Sequence, residues 1–246
     1  MDVNKNSYVL GFAVTVTAAA SAVLAVAANA LRPAQEAAKL CDRQKNIMLA
    51  AGLLHEGDAR PRQELEELYK TRFAEHVVEL GSGEMVDQKF TAATLAAVKD
   101  AAERAKYVVI YESKDPAGKT DSWILPVSGR GLWSTLYGFL ALDASGSTVK
   151  GLTFYEHGET PGLGGEVDNP KWKAKWPGKS IYDQKGELIG VRVKKGQVNP
   201  ALEFEQRHYV DGLSGATITC NGVTALIKKD LTAYKAFLSK ARAKRG

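Results

Sequence analysis

Three hydroxyl side chains lie close together near the C-terminus, in the stretch DGLSGATITCNGV from Asp211 to Val223. They belong to Ser214, Thr217 and Thr219. Gly212 and Gly215 allow the backbone to turn sharply and approach another group closely, because glycine has no Cβ. A helical pattern follows, and free N–H groups and the dipole at a helix N-terminus favour an anion. The stretch suits a phosphate, although the same residues are typical of an ordinary turn and helix N-cap.

A second glycine-rich stretch, HGETPGLGG, runs from His157 to Gly165. Pro161 and Gly162 suit the centre of a type II turn, and the Gly164-Gly165 pair allows close approach to a flat ligand. An ordinary connecting loop has the same composition. Glu159 and His157 have no acid–base partner at a recognisable spacing, so we predict no hydrolase and no catalytic residue in this chain.

Cysteine and histidine spacing argues against a protein-built metal centre. Cys41 and Cys220 are far apart and neither belongs to a Cys-x-x-Cys pair, while the four histidines lack a spacing such as His-Glu-x-x-His. A disulfide between the two cysteines stays open. The four tryptophans suit either stacking on an aromatic cofactor or packing in a core, and they are Trp123, Trp133, Trp172 and Trp176.

The composition is that of a folding protein, with 246 residues, 45% hydrophobic and 25% charged. A net charge of +5 is compatible with an anionic partner, but acidic and basic residues alternate along most of the chain. The exception is a basic C-terminal tail formed by Lys240, Arg242, Lys244 and Arg245. Cations are favourable at a solvated helix end, and no nucleic-acid-binding motif accompanies them. We therefore predict no nucleic-acid partner.

The segment from Tyr8 to Leu31 contains 24 residues without a charge and is followed by Arg32-Pro33. A helix of this length spans a hydrocarbon core of about 30 Å. Ala28-Asn29-Ala30 also fits a signal-peptide cleavage site. Because the apolar run exceeds the usual length of a signal-peptide core, a retained single membrane anchor is the favoured interpretation.

The charges beside the anchor do not decide its orientation. Lys5 precedes it, while several cations follow it, namely Arg32, Lys39, Arg43 and Lys45. The positive-inside rule applied literally keeps the larger part of the chain in the cytoplasm. Long domains, however, are translocated largely regardless of charge, so charge alone leaves the side open.

The remaining pattern predicts strands flanked by helices. Helical periodicity covers Pro33–Leu54, Arg62–Phe73, Thr91–Lys106 and Val223–Leu238. Strand patterns cover Tyr107–Tyr111, Trp123–Val127, Gly131–Leu142 and Val149–Tyr155, with another hairpin over Ile181–Asp183 and Glu187–Lys194. Since strands and helices do not alternate regularly, we predict an α+β fold with a largely antiparallel sheet, preceded by one transmembrane helix.

Three segments of the chain carry a resemblance to a known family. The sequence from Asp211 to Thr217, DGLSGAT, resembles the flavinylation motif of bacterial FMN-binding domains, in which the last hydroxyl carries FMN through a phosphoester. The segment from His157 to Gly164 is similar to that family's loop beside the isoalloxazine ring. The segment from Trp123 to Gly138, WILPVSGRGLWSTLYG, is similar to one typical of the C subunit of Na+-translocating NADH:quinone oxidoreductases.

The resemblance implies a covalently flavinylated electron carrier, with FMN joined to Thr217. It implies that Ser214, Gly215 and Ala216 surround the phosphate, and that the ring lies near Glu159, Thr160, Gly162 and Leu163. It also implies five partner subunits in a six-subunit complex of the bacterial inner membrane, a flavin transferase for maturation, and a periplasmic FMN domain. Cys220 departs from the hydroxyl or small polar residue expected at its position.

The implied organisation has three parts. Residues 1–31 contain the membrane anchor at about 8–31, residues 32–106 form a helical connecting region packed on the domain, and residues 107–246 form the FMN-binding domain. Two alternatives stay open: the G subunit of an Rnf-type ferredoxin:NAD+ oxidoreductase, which shares the anchor and the motif, and a periplasmic binding module without flavin.

Overall fold

The structure is a computed structural model that describes residues 6–86, 91–98 and 100–243. Residues 1–5, including Lys5, and the end of the basic tail at Lys244 and Arg245 lie outside these ranges. The helices are α1 (Asn6–Ala50), α2 (Arg62–Arg72), α3 (Ala92–Ala97), α4 (Ala101–Arg104), α5 (Pro170–Lys173), α6 (Glu203–His208), α7 (Thr217–Ala233) and α8 (Lys235–Ala243). The strands are β1 (Phe73–Glu79), β2 (Tyr107–Lys114), β3 (Thr120–Arg130), β4 (Thr135–Asp143), β5 (Val149–Glu156), β6 (Arg192–Val193) and β7 (Tyr209–Val210).

The first five strands form one antiparallel sheet in the order β1-β2-β3-β4-β5. Each strand pairs with the next along the chain, and Leu125 of β3 lies opposite Leu140 of β4. Helices surround this meander, so the predicted α+β class with a largely antiparallel sheet is confirmed. The two short strands β6 and β7 pair in parallel in a separate small sheet.

Successive residues of the strands point to opposite faces, and each face buries its own apolar cluster. On one face, Leu125 and Leu140 pack in a core with residues of α7 and α8, including Leu226 and Phe237. The other face buries Ile124 and Phe139, together with Ile47 and Met48 from the end of α1 and Leu65 and Tyr69 from α2. This two-sided burial explains the apolar runs in β3 and β4.

Helix α1 continues through Pro33 to Ala50, although a separate helix was predicted to begin at that proline. Proline removes one backbone hydrogen bond, whereas the alanine-rich residues on both sides favour a helix. Near the N-terminus, α1 has the length and the apolar composition that a helix needs to cross a membrane. Residues up to Asp42 form one compact unit, and the chain from Arg43 onward forms another.

The structure differs from the prediction in two places, because partners distant in sequence decide which residues form strands there. Strand β1 was not predicted, yet all seven of its residues pair with β2. The predicted hairpin between Ile181 and Lys194 forms only in part: the Asp183 N–H donates to the Glu187 carbonyl at 3.0 Å, and the Ile189 N–H donates to the Ile181 carbonyl at 2.9 Å. Its two arms share one isolated bridge, and the end of the second arm, β6, pairs with β7 instead.

Two predicted helices are divided in the structure. The segment Thr91–Lys106 forms the short helices α3 and α4, with Lys99 between them outside the described residues. The C-terminal helix begins at Thr217, six residues earlier than predicted, and ends at Ala233 before α8 starts. The early start matters for function, because it places Thr217 in the first turn of a 17-residue helix.

Glycines let α7 lie unusually close to β3. A Cβ on Gly222 of α7 would lie 2.3 Å from the carbonyl oxygen of Arg130, and one on Gly129 would lie 2.4 Å from the Cβ of Leu226. Such distances are far inside van der Waals contact, so both positions require glycine if the elements keep this spacing.

Polar contacts fix the far end of α7 against the same strand. The carboxylate of Asp230 accepts a hydrogen bond from the Ser128 N–H at 2.6 Å, and the Tyr234 hydroxyl donates to the Pro126 carbonyl at 2.7 Å. Asp230 is buried, so its pairing with a backbone donor avoids an unsatisfied acceptor. These contacts and the glycine contacts set where the N-terminus of α7 lies relative to the end of β3.

Candidate functional site

Thr217 is the first residue of α7 and is exposed to solvent. The preceding residue, Ala216, is the N-cap, and no side chain caps the helix there. The first N–H groups of any helix lack partners within it, and the helix dipole adds partial positive charge at this end. The hydroxyl of Thr217 therefore stands at a helix N-terminus suited to an anion.

The turn before Thr217 depends on two glycines, as the sequence predicted. Gly215 has a φ of 72°, a left-handed conformation that other residues rarely adopt. A Cβ on Gly212 would lie 2.3 Å from the Lys194 carbonyl oxygen, so the turn sits directly on the neighbouring loop. Ser214 is exposed between these glycines.

Asp211, the first residue of the motif, fastens this turn to the domain. Its carboxylate accepts hydrogen bonds from the Val198 N–H and the Lys175 Nζ, both at 2.6 Å, and its carbonyl accepts one from the Trp172 Nε1 at 2.8 Å. Burial raises the pKa of this carboxyl, but the Lys175 and Val198 donors outweigh burial and lower it below its usual value. Asp211 thus acts as an ionised structural residue.

The second glycine-rich stretch forms a tight turn beside the first. The Leu163 N–H donates to the Thr160 carbonyl at 3.1 Å, and Gly162 has the positive φ of 76° that a type II turn requires. Leu163 is exposed, and a Cβ on Gly215 would lie 2.7 Å from its Cδ2. The structure therefore brings the two predicted stretches into contact at Leu163 and Gly215.

Glu159 links three segments of the chain. One oxygen of its carboxylate accepts hydrogen bonds from the N–H groups of Trp133 and Ser134, at 2.9 and 3.0 Å. The other oxygen accepts one from the Leu132 N–H at 3.1 Å and one from the Thr219 hydroxyl at 2.6 Å. Donors from the β3–β4 loop and from the first turn of α7 thus meet on one side chain, which we call the Glu159 latch.

The Glu159 latch is buried and ionised. The side chains of Glu159 and Thr219 are only 5% and 1% exposed. Burial raises the pKa of the Glu159 carboxyl, but the hydroxyl and the three backbone donors outweigh burial and lower the pKa to about 2. Gly164 leaves room for the pair, since a Cβ there would lie 2.6 Å from the Thr219 Oγ1. The close approach at Gly164 is therefore to these protein side chains.

Exposed apolar side chains belong to the same three segments. Trp133 is 66% exposed, whereas Trp123, Trp172 and Trp176 are buried in the core. The other exposed apolar residues of these segments are Leu132, Leu163 and Ile218. Solvated apolar groups so close to a polar helix terminus provide a surface for the flat, apolar part of a ligand.

Cys220 lies one turn into α7 and is buried. Its Sγ accepts a hydrogen bond from the Leu213 N–H at 3.3 Å, so it takes the acceptor role that a hydroxyl would fill. Burial raises the pKa of the thiol, which disfavours the reactive thiolate. Cys41 and Cys220 are both free cysteines.

The predicted site residues occupy two environments. Thr217 and Ser214 are exposed, as are Thr160, Gly162 and Leu163 on the facing turn. Ala216 and Glu159 are buried. The sequence interpretation missed Thr219 as a partner of Glu159 and did not single out Trp133 from the other tryptophans. No local pattern marks the Glu159–Thr219 pair, because 60 residues separate the two side chains.

Known proteins share this architecture. A family model described as "FMN-binding domain" matches residues 131–232, a range that includes the Glu159 latch and Thr217. The crystal structure of Shewanella oneidensis NqrC is similar with a TM-score of 0.68 and 28% identity, covering 84% of this chain and 99% of that one. The fold and the site thus define an FMN-binding domain with an N-terminal apolar helix.

Curated relatives narrow the class. The C subunit of the Na(+)-translocating NADH-quinone reductase from Pseudomonas aeruginosa is 43% identical, covering 94% of each chain. The corresponding C subunit from Yersinia pestis is 40% identical, covering 82% of this chain and 80% of the relative. The chain belongs to this NqrC family of the Na+-translocating NADH-quinone reductase, and it is therefore a subunit of a multi-subunit oxidoreductase.

The described residues fit FMN. The uncapped start of α7 suits a phosphate, and the exposed Thr217 hydroxyl stands beside it. Trp133 and Leu163 offer exposed apolar surface for an isoalloxazine ring.

The Glu159 latch predicts a pH dependence of stability. Its pKa is about 2 in the folded chain and about 4.3 when unfolded, so the ionised carboxylate stabilises the fold above pH ~4.3. This contribution decreases as the pH falls towards 2, by on the order of 3 kcal/mol. Urea unfolding of the wild type and Glu159→Gln checks this: their difference in unfolding free energy should shrink between pH 5 and about 2.5. A difference independent of pH contradicts it.

Proposed function

We propose that this chain is a covalently flavinylated electron carrier, with FMN joined by a phosphoester to the Thr217 Oγ1. The observation that carries the proposal is the exposed hydroxyl of Thr217 at the uncapped N-terminus of α7, at the end of the DGLSGAT sequence. The buried Thr219 hydroxyl is already bonded to Glu159, which leaves Thr217 as the accessible threonine of this turn.

Attachment is a phosphoryl transfer that a separate flavin transferase carries out with FAD and Mg2+. The Thr217 oxygen forms a bond to the phosphorus on the FMN side, the bond to AMP breaks, and the hydroxyl proton passes to the transferase or to water. The chain contributes the nucleophilic hydroxyl and needs no base of its own. An exposed helix terminus makes that hydroxyl reachable by a second protein.

The residues around Thr217 then have distinct roles. Ser214, Gly215 and Ala216 shape the turn, and the first N–H groups of α7 hold the phosphate. Thr160, Gly162 and Leu163 form the facing turn beside the ring, while Trp133 offers its indole on the other segment. Bound flavin supplies one- and two-electron redox chemistry, and the surrounding packing and hydrogen bonds set its potential.

We also propose the setting of this carrier. Its relatives' name supports a role in electron transfer from NADH to quinone that is coupled to Na+ translocation. We propose that the ion is exported and that the complex has six subunits. We place α1 as a single membrane span in the bacterial inner membrane and the FMN domain on the periplasmic side. NADH oxidation and quinone reduction then belong to other subunits.

Replacing Thr217 tests the attachment. Native wild-type protein should be heavier than its sequence mass by about 440 Da, the mass of an attached FMN group. It should also keep yellow fluorescence after denaturation. Thr217→Ala should lose both, whereas Thr232→Ala should keep both, because Thr232 is an exposed threonine of the same helix outside the motif. Intact-mass measurement and in-gel fluorescence report the result, and covalent flavin on Thr217→Ala would refute the assignment.

Replacing Trp133 tests the position of the ring. Indole groups quench flavin fluorescence by electron transfer at short range, so Trp133→Leu should brighten the attached flavin several-fold at equal loading. Trp176→Phe is the matched control, since Trp176 is fully buried in the core. Lifetimes measured on the native protein decide the matter. An unchanged lifetime in Trp133→Leu would place the ring elsewhere.

A thiol placed on an exposed turn tests the side of the membrane. Gln184 is exposed, and Cys220 is buried, so Gln184→Cys in a Cys41→Ser background presents one accessible thiol. A membrane-impermeant maleimide added to intact cells with a permeable outer membrane should label this variant and not Cys41→Ser alone. Labelling that requires lysis would place the domain in the cytoplasm.

A further inference from the structure

We propose that the Glu159–Thr219 hydrogen bond is a positioning device that immobilises the attached flavin, by locking two ring-facing loops onto the helix that carries Thr217. This inference rests on the proposed function. It assigns Glu159 a supporting role, in which the side chain holds the loops of the cofactor site in place. The sequence resemblance instead placed Glu159 among the residues that contact the cofactor.

The hydrogen bonds of Glu159 support this role, because donors from the protein occupy both oxygens of its carboxylate. It is 5% exposed and takes donors from the three consecutive N–H groups of Leu132, Trp133 and Ser134. Its remaining strong donor is the Thr219 hydroxyl, two residues beyond Thr217 on α7. A ligand donor would have to displace one of these short, charge-assisted hydrogen bonds.

The Glu159 latch controls the ring-facing side chains through the backbone. The backbone N–H of Trp133 donates to Glu159, whereas the residue is 66% exposed. The hydrogen bond therefore fixes the backbone from which the exposed indole projects. On its own loop, Glu159 lies four residues before Leu163, and a turn closed by Thr160 separates them. The loop that carries Trp133 and the loop that carries Leu163 therefore both depend on the Glu159 carboxylate.

The Glu159 latch also reaches the helix by only one side chain. Thr219 donates through its hydroxyl at 2.6 Å, and Gly164 lies so close that a Cβ there would be 2.6 Å from the same oxygen. Removing the Thr219 hydroxyl should therefore remove the hydrogen bond that joins α7 to the two loops and leave the carboxylate's bonds to the β3–β4 loop in place.

Chemistry distinguishes the useful substitutions. In Glu159→Gln the amide NH2 must face backbone N–H donors whichever way it is turned, since each oxygen of Glu159 accepts from at least one N–H group. Thr219→Val keeps the side-chain shape and removes the donor. Thr219→Ser keeps the hydroxyl and should restore the contact.

The test compares these variants at equal flavin loading, established by intact mass. Full-length native protein is measured for time-resolved anisotropy and fluorescence lifetime of the attached flavin. Thr219→Val and Glu159→Gln should lower the anisotropy and lengthen the lifetime several-fold, because the ring moves away from Trp133. Thr219→Ser should match the wild type. Flavin as rigid and as quenched in Thr219→Val as in the wild type would overturn the proposal.

A matched control separates positioning from general loss of stability. Asp230→Ala removes a different buried carboxylate, which lies on α7 and accepts a backbone hydrogen bond at the opposite end of the helix from Thr217. It should lower the unfolding temperature, because the Ser128 N–H loses its acceptor, and leave flavin anisotropy unchanged. Equal loss of anisotropy in Asp230→Ala and Thr219→Val would mean that the Glu159 latch only stabilises the fold, and would overturn the proposal. Covalent flavin that persists in Thr217→Ala would instead refute the proposed function.

Discussion

A buried, ionised carboxylate requires hydrogen-bond donors around it, and this requirement organises the site. An unpaired charge at the position of Glu159 would carry a large desolvation penalty, so three backbone N–H groups and a hydroxyl converge on it. Those donors come from separate parts of the chain. Satisfying one side chain therefore fixes the relative positions of the β3–β4 loop, the turn at Thr160–Leu163 and the start of α7.

The sheet and the helices provide the rigid support that this arrangement needs. Helix α7 approaches β3 at glycine contacts near Arg130, and Asp230 bonds the far end of the helix to Ser128. Asp211 fastens the turn before Thr217 to Lys175 and Val198. The Thr217 hydroxyl thus stands on a fixed helix terminus. The Glu159 latch holds the backbone of the loop from which the exposed Trp133 side chain projects.

Local sequence predicted the parts of this protein that local chemistry determines. The α+β class follows from strand and helix periodicity, and the motif ending at Thr217 is read from seven adjacent residues. The Glu159–Thr219 pair was not predictable in this way, because tertiary folding brings together side chains 60 positions apart. Strand β1 and the pairing of β6 with β7 depend equally on distant partners. Of the four tryptophans, only Trp133 is strongly exposed. Sequence periodicity does not distinguish this exposed tryptophan from the three buried ones.

The order of these segments along the chain has a consequence for biosynthesis. During translation the loop that contains Trp133 emerges first, Glu159 follows, and Thr219 comes last. A nascent chain paused before α7 holds a carboxylate whose helix partner has not yet been made. The complete Glu159 latch therefore exists only after α7 has been synthesised, so the two loops cannot be fixed to this helix at an earlier stage of translation.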